Sequence, residues 1–323
     1  MKKFDIGVVD AGKRIDKWLL KTLPALPMGL MQKYVRLKRI KLNGKPAKAD
    51  ARLETGDVVE LYINDEYFVI PERTDALLNT FRWRLSIVYE DDQILIADKP
   101  VGLIVHPDTE EKINTLVTHV RAYLYQKGEY DSLAEGSFSP VPCNRIDRFT
   151  GGLVIIAKTR EAMTVINRAI RDHEIEKVYL AIVHGCPRPS RGLIDNWILK
   201  TPGRRKVRVL HHEEPGAQRT QTRYEVLAST DELSLVECTL ITGRTHQIRA
   251  QFAHLDHPLL GDGQYGDPME AQRLGLGQQA LCAYKLRFRF KKNAGVLQSL
   301  SGKVFELPYV DFVDAYFPGF GEE

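Results

Sequence analysis

The sequence predicts an α+β protein of two domains. A small α+β domain comes first, and in the larger domain that follows, helices flank a mixed, mostly antiparallel sheet. Within the first 63 residues the hydrophobic period changes from helical to alternating. Further along the chain, helical and strand patterns follow each other without a regular βα alternation, which argues against a doubly wound parallel sheet. With 323 residues, 43% of them hydrophobic, the chain is long enough to bury at least one sizeable core.

The small domain, residues 1–63, has the pattern of two helices, a hairpin and a strand. The segment Arg14–Leu23 places its apolar residues on one helical face, and a second short helix is expected at Met28–Leu37. Alternation then begins, and the dipeptide at residues 43–44, Asn-Gly, is a strong hairpin turn signal. A further strand is predicted at Val58–Ile63.

Positive charge is concentrated in this small domain. The whole chain has a formal net charge of +4, whereas residues 1–62 alone carry +7 and the remainder about −3. No acidic residue occurs between Lys17 and Lys48. Such a surface attracts phosphates through counterion release and electrostatic steering, which favours a nucleic-acid partner. A charged surface that only keeps the domain in solution is the alternative.

The larger domain is expected at residues 85–323, after a linker at residues 64–84 that lacks a clean hydrophobic period. Its strands are predicted at Leu85–Tyr89, Gln93–Ala97, Leu153–Ala157, Tyr179–His184, Tyr224–Leu227, Leu235–Leu240 and Leu286–Phe290. Its helices are predicted at Thr115–Gln126, Glu161–Arg171 and Gln247–Leu255.

Several function classes are not expected. The chain has no Gly-rich phosphate loop, which argues against ATP and dinucleotides, and its four cysteines form no CxxC pair. Three histidines near residue 250 lack the spacing of a zinc motif, so neither a metal nor another cofactor is expected. No apolar stretch approaches the ~18 residues that cross a membrane, and the first residues lack the apolar run of a secretory signal. We therefore expect a cytoplasmic protein without a membrane partner, and a monomer as the simplest state.

Asp147 lies in the first of three polar segments of the larger domain. It stands between Arg145 and Arg148, directly before a buried strand. Neighbouring cations favour the ionised carboxylate, which can act as a nucleophile or stabilise charge. The alternative is an ion pair with a purely structural role at the entrance of the strand.

The other two segments carry a tyrosine and a group of polar side chains. Tyr179 is expected to open an apolar strand, either as a core residue or as a group that stacks on a base and transfers a proton. The run Thr242–Arg249 joins a strand to a helix, and such a junction can direct side chains and backbone amides into a site.

The small domain resembles a known module. Its runs RIDKWL, QKYVRLKRIKLNGKPAK and LETGDVVELYI are similar to the S4-type RNA-binding domain of a ribosomal protein and of several RNA-modifying enzymes. The resemblance implies that a set of basic residues faces an RNA backbone: Lys17, Lys33, Arg36, Lys38 and Arg39.

Four ordered segments of the larger domain resemble the RluA-type family of pseudouridine synthases. DKPVGLIVHP at residues 98–107 is similar to the family's NKPxGLxVHP, and NRIDRFTGG at residues 144–152 to its catalytic HRLDxxTSG. KVYLAIVHG at residues 177–185 is similar to KxYxAxVxG. TGRTHQIRAQ and DHPLLGDGQYG, within residues 242–266, are similar to TGRTHQIRxH and GHPIxGDxxYG.

The resemblance implies an enzyme that isomerises uridine to pseudouridine in RNA without a cofactor or metal. It implies that Asp147 is the catalytic carboxylate, that Arg244 pairs with it, and that Tyr179 packs on the flipped uracil and helps to remove the proton from carbon 5. The substrate-binding residues expected from it are His106, Arg145, Thr150, Lys177, His246 and Gln247.

The substrate and the level of activity stay open at this point. Large-subunit ribosomal RNA is favoured by the resemblance, with transfer RNA as the alternative, and the basic stretch Lys200–Arg208 is either a hairpin that grips RNA or a solvated loop. Four positions depart from the family's pattern, where Asn144 replaces His, Gly151 replaces Ser, Gln251 replaces His and Asp256 replaces Gly. These departures keep open an RNA-binding or ribosome assembly factor without catalysis. A hydrolase that uses two carboxylates is the third hypothesis.

Overall fold

The computed structural model consists of two compact units. The first comprises Met1–Thr80 and Asp131–Ser137, and the second comprises Phe81–Tyr130 and Phe138–Glu323. The residues that the structure describes are 2–23, 26, 28–63, 77–132, 137–201, 206–273 and 279–320. The linker predicted at residues 64–84 lies mostly outside these ranges, and the exact domain boundaries stay predictions. Within the described ranges, no helix is long and apolar enough to cross a membrane.

The first unit is a small α+β fold with its own core. Along the chain its elements are β1 (Lys2–Asp5), α1 (Ile15–Thr22), α2 (Met28–Arg36), β2 (Ile40–Leu42), β3 (Lys45–Pro46) and β4 (Val58–Leu61). The sheet has the order β1-β4-β2-β3, and Trp18, Tyr34 and Val59 pack in the core below it. The sequence did not predict β1, because three of its four residues are exposed and its alternation is therefore weak.

A large sheet forms the centre of the second unit. Its strands are β5 (Ser86–Glu90), β6 (Ile94–Lys99), β7 (Val141–Pro142), β8 (Gly151–Ala157), β9 (Ile175–His184), β10 (Arg191–Lys200), β11 (Val207–Leu210), β12 (Gln218–Ser229), β13 (Leu233–Leu240), β14 (Leu281–Phe288) and β15 (Val304–Glu306). The order is β11-β10-β12-β13-β9-β14-β8-β6-β5, with β15 beside β14 and β7 beside β8. Among the described strands, every pair is antiparallel except β14 with β8. The mixed, mostly antiparallel sheet predicted from the sequence is confirmed.

Helices cover both faces of this sheet. They are α3 (Leu116–Gln126), α4 (Arg160–Arg171), α5 (Gln247–His254), α6 (Pro268–Arg273), α7 (Asp311–Tyr316) and a 3-10 helix (Gly295–Leu300). Helices α3 and α5 pack on one face, while α4 and the 3-10 helix pack on the other. Because side chains alternate along a strand, Tyr179 and Ala181 of β9 point to the α3–α5 face, and Val178 and Leu180 point to the opposite one.

Several strands differ from the sequence prediction, since β7, β10, β11 and β15 were not predicted and β9, β12 and β14 begin before their predicted starts. Strand β9 begins at Ile175, four residues before Tyr179, so this tyrosine lies inside the strand and does not open it. The first part of this strand was not predicted, because the charged residues Glu176 and Lys177 interrupt its run of apolar residues. Strand β10 was not predicted, because its inward-facing row includes the polar Asn196 and its alternation is interrupted there.

Candidate active site

A cleft of about 740 Å³ lies in the second unit, on the sheet face that carries Tyr179. Its lining comes from the loop after β6, the Asp147 segment, β9 and the turn before α5. The cleft brings together all the catalytic and substrate-binding residues that the sequence predicted in this domain, namely His106, Arg145, Asp147, Thr150, Lys177, Tyr179, Arg244, His246 and Gln247. Segments that are far apart in sequence therefore meet in one place.

Asp147 lies on an irregular loop between β7 and β8, with its side chain 28% exposed. Its backbone carbonyl accepts a hydrogen bond from the Thr150 N–H at 3.1 Å, which closes a turn. Asn144, the residue that stands in place of the family's His, accepts a hydrogen bond from the Ile155 N–H at 2.8 Å through Oδ1. Asn144 thereby fastens the loop to β8.

Lys99 fastens the same loop from the interior of the domain. Its side chain is fully buried, and its ammonium donates hydrogen bonds to the carbonyls of Pro100 at 2.9 Å, Leu103 at 2.7 Å and Arg148 at 3.2 Å. Burial lowers the pKa of Lys99 to about 8, although the charge of Asp147 acts to raise it. The group is thus mostly protonated at neutral pH and places a positive charge near Asp147.

Arg249, on α5, holds Asp147. Its Nη1 donates to Oδ2 of Asp147 at 3.2 Å, while Nε and Nη2 bind the two carboxylate oxygens of Asp262 at 2.7 and 2.9 Å. Burial acts to raise the pKa of Asp262, but the hydrogen bonds and charge of Arg249 outweigh it and lower the pKa overall. A two-pronged pair of this kind fixes the plane of the guanidinium, so Nη1 is directed at Asp147, while Nη2 also donates to Oε1 of Gln264 at 3.0 Å.

The prediction that Arg244 pairs with Asp147 is wrong in this structure. Arg244 is exposed on the rim of the cleft, in the turn that precedes α5, and the described ion pair of Asp147 with an arginine is made by Arg249. The physical reason is the path of the backbone. His246 adopts a left-handed conformation with φ 55° just before the helix, so it is Arg249, in the first turn of α5, that points to Asp147.

The two arginines that flank Asp147 in sequence do not hold its carboxylate either. Arg148 lies 3.6 Å from the carboxylate of Asp108, and Arg145 is exposed in the cleft. Neighbours in an extended loop point in different directions, so proximity in sequence did not translate into an ion pair. Arg145 is instead available to a ligand in the cleft.

His246 lies between Asp147 and Tyr265. Its Nε2 is 3.9 Å from Oδ2 of Asp147, and its Nδ1 is 3.0 Å from the Tyr265 hydroxyl. Burial lowers the pKa of His246, against the opposing influence of Asp147, and the charge of Arg249 lowers it further. The ring is therefore predominantly neutral near neutral pH.

Tyr179 and Lys177 project from β9 into the floor of the cleft. Tyr179 is 5% exposed, and burial together with the charge of Asp147 raises its pKa, so the phenol stays neutral. Lys177 is 9% exposed, and burial lowers its pKa. The cleft floor thus combines an aromatic ring with a partly desolvated ammonium, a suitable surface for a planar base with polar edges.

Thr150 and Gln247 are engaged in hydrogen bonds within the protein. The Thr150 hydroxyl accepts from Gln279 Nε2 at 3.2 Å. Gln247 Oε1 accepts from the Thr242 hydroxyl at 2.8 Å and from the Arg244 N–H at 3.0 Å. Both side chains support the shape of the loops that line the cleft.

Two further departures from the family's pattern have a structural explanation. Asp256 has φ 61° in the turn after α5, a conformation that glycine adopts freely and that Asp tolerates better than most residues. Gln251 is fully buried, where its amide accepts from the Thr222 hydroxyl at 2.6 Å and donates to Asn196 at 3.0 Å. The polar group that replaces a histidine is therefore satisfied.

Sequence reasoning missed Arg249, Asp262 and Tyr265 as parts of this site. All three lie inside segments that it had singled out, the first in TGRTHQIR and the other two in GDGQYG. The signal was present, but a motif does not show which of its residues turn toward the carboxylate. In the described part of the chain, no group of three His, Cys, Asp or Glu residues could hold a metal ion.

In the first unit, the five basic residues predicted to face RNA are all exposed, namely Lys17, Lys33, Arg36, Lys38 and Arg39. Lys33 and Arg36 form the last turn of α2, and the Arg39 guanidinium lies 5.7 Å from the centre of the Tyr34 ring. These cations are accessible to phosphate groups.

Comparison with known proteins agrees with this architecture. The RNA pseudouridylate synthase family matches residues 93–254, and the S4 domain matches residues 13–59. An uncharacterized RNA pseudouridine synthase of Chlorobaculum parvum is 32% identical over 299 residues, which are 88% of this chain and 89% of that protein. Ribosomal large subunit pseudouridine synthase C of Haemophilus influenzae is 30% identical over 309 residues, 92% of this chain and 90% of that protein. Human RNA pseudouridylate synthase domain containing 4 superposes with a TM-score of 0.50 at 25% identity, covering 67% of this chain and 88% of that structure.

The sheet, the cleft and the N-terminal module therefore define an RNA-modifying isomerase. The chain belongs to the RNA pseudouridylate synthase family, and the resemblance to RluA-type enzymes with an S4 domain is confirmed. It is a pseudouridine synthase whose partner is RNA.

Proposed function

We propose that this pseudouridine synthase isomerises specific uridines of large-subunit ribosomal RNA, with Asp147 as the catalytic carboxylate. The observation that carries the role of Asp147 is its 3.2 Å contact with Arg249 inside a cleft of about 740 Å³ that is also lined by the exposed Arg145 and Arg244. The ribosomal target is supported by the name of the Haemophilus influenzae relative and by the S4 domain. Transfer RNA is the alternative target.

The proposed reaction breaks the bond between ribose carbon 1′ and nitrogen 1 of uracil, rotates the base and joins carbon 1′ to carbon 5. The proton on carbon 5 leaves and nitrogen 1 regains one, so atoms balance without a redox partner. Asp147 attacks carbon 1′, removes a proton from carbon 2′ to give a glycal-like intermediate, or adds to the pyrimidine ring. On each route the carboxylate acts in its ionised form, and Nη1 of Arg249 donates a hydrogen bond to it at 3.2 Å.

The other cleft residues have proposed roles around the base and its phosphates. Tyr179 packs on the extruded uracil and assists the departure of the carbon 5 proton, and Lys177 lies close to a polar edge of the base. The exposed Arg145 and Arg244 contact the phosphates on either side of the extruded nucleotide. Extrusion costs a few kcal/mol, which these contacts and those of the S4 domain offset.

The decisive test compares wild type with Asp147→Asn. Pseudouridines are mapped across all RNAs of a strain that lacks the protein, and each enzyme is then added back. We expect wild type to restore one or more sites in large-subunit ribosomal RNA and Asp147→Asn to restore none. The matched control is Asp195→Asn, which removes an exposed carboxylate that pairs with Arg219 at 2.6 Å and is not among the residues that line the cleft.

Four other outcomes would redirect the proposal. Restored sites only in transfer RNA would establish the alternative target. Wild-type restoration by Asp147→Asn would contradict the role of this carboxylate. A deletion strain that lacks no pseudouridine but assembles ribosomes poorly would support an RNA-binding factor without catalysis, and release of free uracil would support a hydrolase.

We further propose that the protein acts in the cytoplasm as a monomer. The four cysteines are all free thiols, in keeping with a reducing compartment. Light scattering coupled to size-exclusion chromatography tests the monomer, and a mass twice that of the chain would contradict it.

A further inference from the structure

Tyr265 connects the β10–β11 hairpin to the groups around Asp147. It lies in the turn after α5, where Oδ1 of Asp262 accepts hydrogen bonds from the N–H groups of Gln264 and Tyr265, both at 3.0 Å. Asp262 is also the carboxylate that binds Arg249. The positions of Tyr265 and Arg249 therefore depend on one buried anchor.

The hydroxyl of Tyr265 has two polar neighbours. It accepts a hydrogen bond from the Val207 N–H at 2.8 Å and lies 3.0 Å from Nδ1 of His246. A backbone amide can only donate, so the single hydroxyl proton is free to go to Nδ1. The neutral imidazole then carries its own proton on Nε2, the nitrogen that lies 3.9 Å from Asp147.

The end of the hairpin is held against this tyrosine by packing as well. A small apolar cluster with Tyr265 at its edge joins the hairpin to α5 through Ile198, Val207 and Ala250. The ammonium of Lys206 lies 5.8 Å from the centre of the Tyr265 ring, and the guanidinium of Arg249 lies 5.2 Å from it. One aromatic ring thus contacts a cation of the hairpin and the cation that holds Asp147.

The hairpin also presents positive charge to solvent. Strands β10 and β11 pair with each other, and Lys200 lies opposite Val207. The side chains of Lys200, Lys206 and Arg208 are exposed. These cations can contact RNA phosphates beside the cleft. Lys200 and Val207 pair across β10 and β11, so the described ends of the stretch Lys200–Arg208 belong to a hairpin, and residues 202–205 lie outside the described ranges.

We propose that Tyr265 is a positioning residue that couples the seating of the β10–β11 hairpin on RNA to the orientation of His246 toward Asp147. RNA bound to the hairpin keeps Val207 in place, the Val207 amide fixes the hydroxyl, and the hydroxyl fixes the imidazole with its Nε2–H toward the carboxylate. This proposal rests on the proposed function, because it requires that RNA binds beside the cleft. It adds a route by which RNA binding completes the site.

Tyr265→Phe removes the hydroxyl and keeps the ring with its two cation contacts. We expect the rate of pseudouridine formation at saturating RNA to fall about 10- to 100-fold, while the dissociation constant for RNA changes less than about threefold. The RNA is taken from a strain that lacks the protein, so that its target sites are unmodified. A loss confined to RNA affinity would overturn the proposal, because the hydroxyl would then serve binding alone.

The pH profile provides a readout that simple destabilisation does not change. Five groups act on the His246 ring, namely Asp147, Lys200, Arg249, Asp262 and Tyr265. In Tyr265→Phe only the donor to Nδ1 is lost, so the ring is protonated more easily, and activity should fall at a higher pH than in wild type when the solution is acidified. An unchanged profile would contradict the proposed path.

A double-mutant cycle with His246→Gln tests whether the effect passes through the imidazole. If it does, adding Tyr265→Phe to His246→Gln causes little further loss, and additive losses would overturn the proposal. Tyr224→Phe is the matched control, since its hydroxyl donates to the Pro189 carbonyl at 2.8 Å outside the cleft. We expect the control to lower thermal stability without moving the pH profile, and an equal shift in the control would also contradict the proposal.

Nitrogen-15 NMR of histidine side chains in the RNA-free protein separates this proposal from the proposed function, because it needs no substrate. We expect wild-type His246 to be the Nε2–H tautomer and Tyr265→Phe to show a tautomer mixture or a protonated ring. A wild-type Nδ1–H tautomer would overturn the proposal whatever the RNA target is. The expected tautomer combined with no activity on ribosomal RNA would support the coupling and contradict only the target.

Discussion

Asp147 and Arg249 form an ion pair whose geometry is set by Asp262. The buried carboxylate of Asp262 occupies Nε and Nη2 of the guanidinium, and Nη1 is left to meet Asp147 at 3.2 Å. A lysine has a single charged nitrogen and cannot bind one carboxylate with two prongs while reaching a second. The orientation of the proposed catalytic carboxylate therefore depends on an arginine at this position.

Arg249→Lys and Arg244→Lys are expected to behave differently. We expect Arg249→Lys to lower kcat by about 100- to 1000-fold, because Asp147 loses its directed partner and Asp262 is left partly uncompensated. We expect Arg244→Lys to raise KM several-fold and to lower kcat less than about threefold, since we propose that its exposed side chain contacts phosphates. Steady-state kinetics on unmodified RNA measures both. Equal losses of kcat would show that Arg244 also reaches Asp147 in the complex with RNA.

The sequence could not show which of these two arginines contacts Asp147. The segment Thr242–Arg249 identified the neighbourhood correctly, and the cleft contains both residues. Which arginine meets Asp147 depends on where the helix begins and on the left-handed backbone at His246, a conformation that is uncommon outside glycine. The resemblance to the family predicted which residues lie together, whereas the three-dimensional structure was needed to show which of them contact each other.

Strand β8 is the element that places the Asp147 loop. It lies between β6 and β14 in the sheet, and its entire length is buried. The sequence predicted it from five consecutive apolar residues, and β5, β6, β13 and α3–α5 were found in the same way, because each has a regular apolar period. The hairpin strand β10 was missed, since its buried Asn196 belongs to a polar network with Thr220 and Gln251 that only the tertiary structure reveals.

Gly152→Ala should break the contact between β8 and β14. Gly152 has φ +113°, and a Cβ at this position would lie 2.3 Å from the carbonyl oxygen of Ala283, so the two strands would have to separate. We expect a loss of more than about 3 kcal/mol in the free energy of unfolding, measured with urea. The control is Gly128→Ala, where φ is +79° and no atom lies within 4 Å, with an expected loss of about 1 kcal/mol. Similar losses in both variants would contradict the close approach of the strands.

Lys99→Met should loosen the Asp147 loop from its other side. Three carbonyl groups lose their donor, and we expect a loss of about 3 kcal/mol in the free energy of unfolding at pH 7. The pKa of Lys99 is about 8 in the folded protein, below the ordinary value of 10.5, so the unfolded chain binds more protons between these values. Wild type should therefore gain stability relative to Lys99→Met as the pH rises from 8 to 10.5, by about 3 kcal/mol at most. A difference that stays constant over this range would contradict the lowered pKa.

In the whole molecule, the excess positive charge and the candidate active site lie in different parts of the chain. Residues 1–62 carry a net charge of +7, more than that of the whole chain, whereas the rest of the chain, which includes the cleft, has a slight negative excess. This division suits an enzyme that must hold a highly charged polymer and extrude one nucleotide from it, because nonspecific attraction can be supplied by one module and bond rearrangement by the other. The sequence predicted this division from charge counting and period alone, since neither depends on how side chains pack.

This division predicts that the positive charge on α2 controls the affinity for RNA and has little effect on the reaction rate of the RNA-bound enzyme. Lys33→Gln combined with Arg36→Gln removes two exposed cations from the last turn of α2, and Lys45→Gln combined with Lys48→Gln removes two exposed cations elsewhere in the same unit. We expect the α2 pair to weaken RNA binding about tenfold at 0.15 M salt and to reduce the slope of log affinity against log salt by about two. The control pair should weaken RNA binding less than threefold. The general electrostatic attraction decreases equally in both double variants, but direct phosphate contacts are lost only in the α2 pair.

Single-turnover rates at saturating RNA should stay within about threefold of wild type for both pairs. Equal weakening by the two pairs would mean that total charge, and not the surface of α2, holds the RNA.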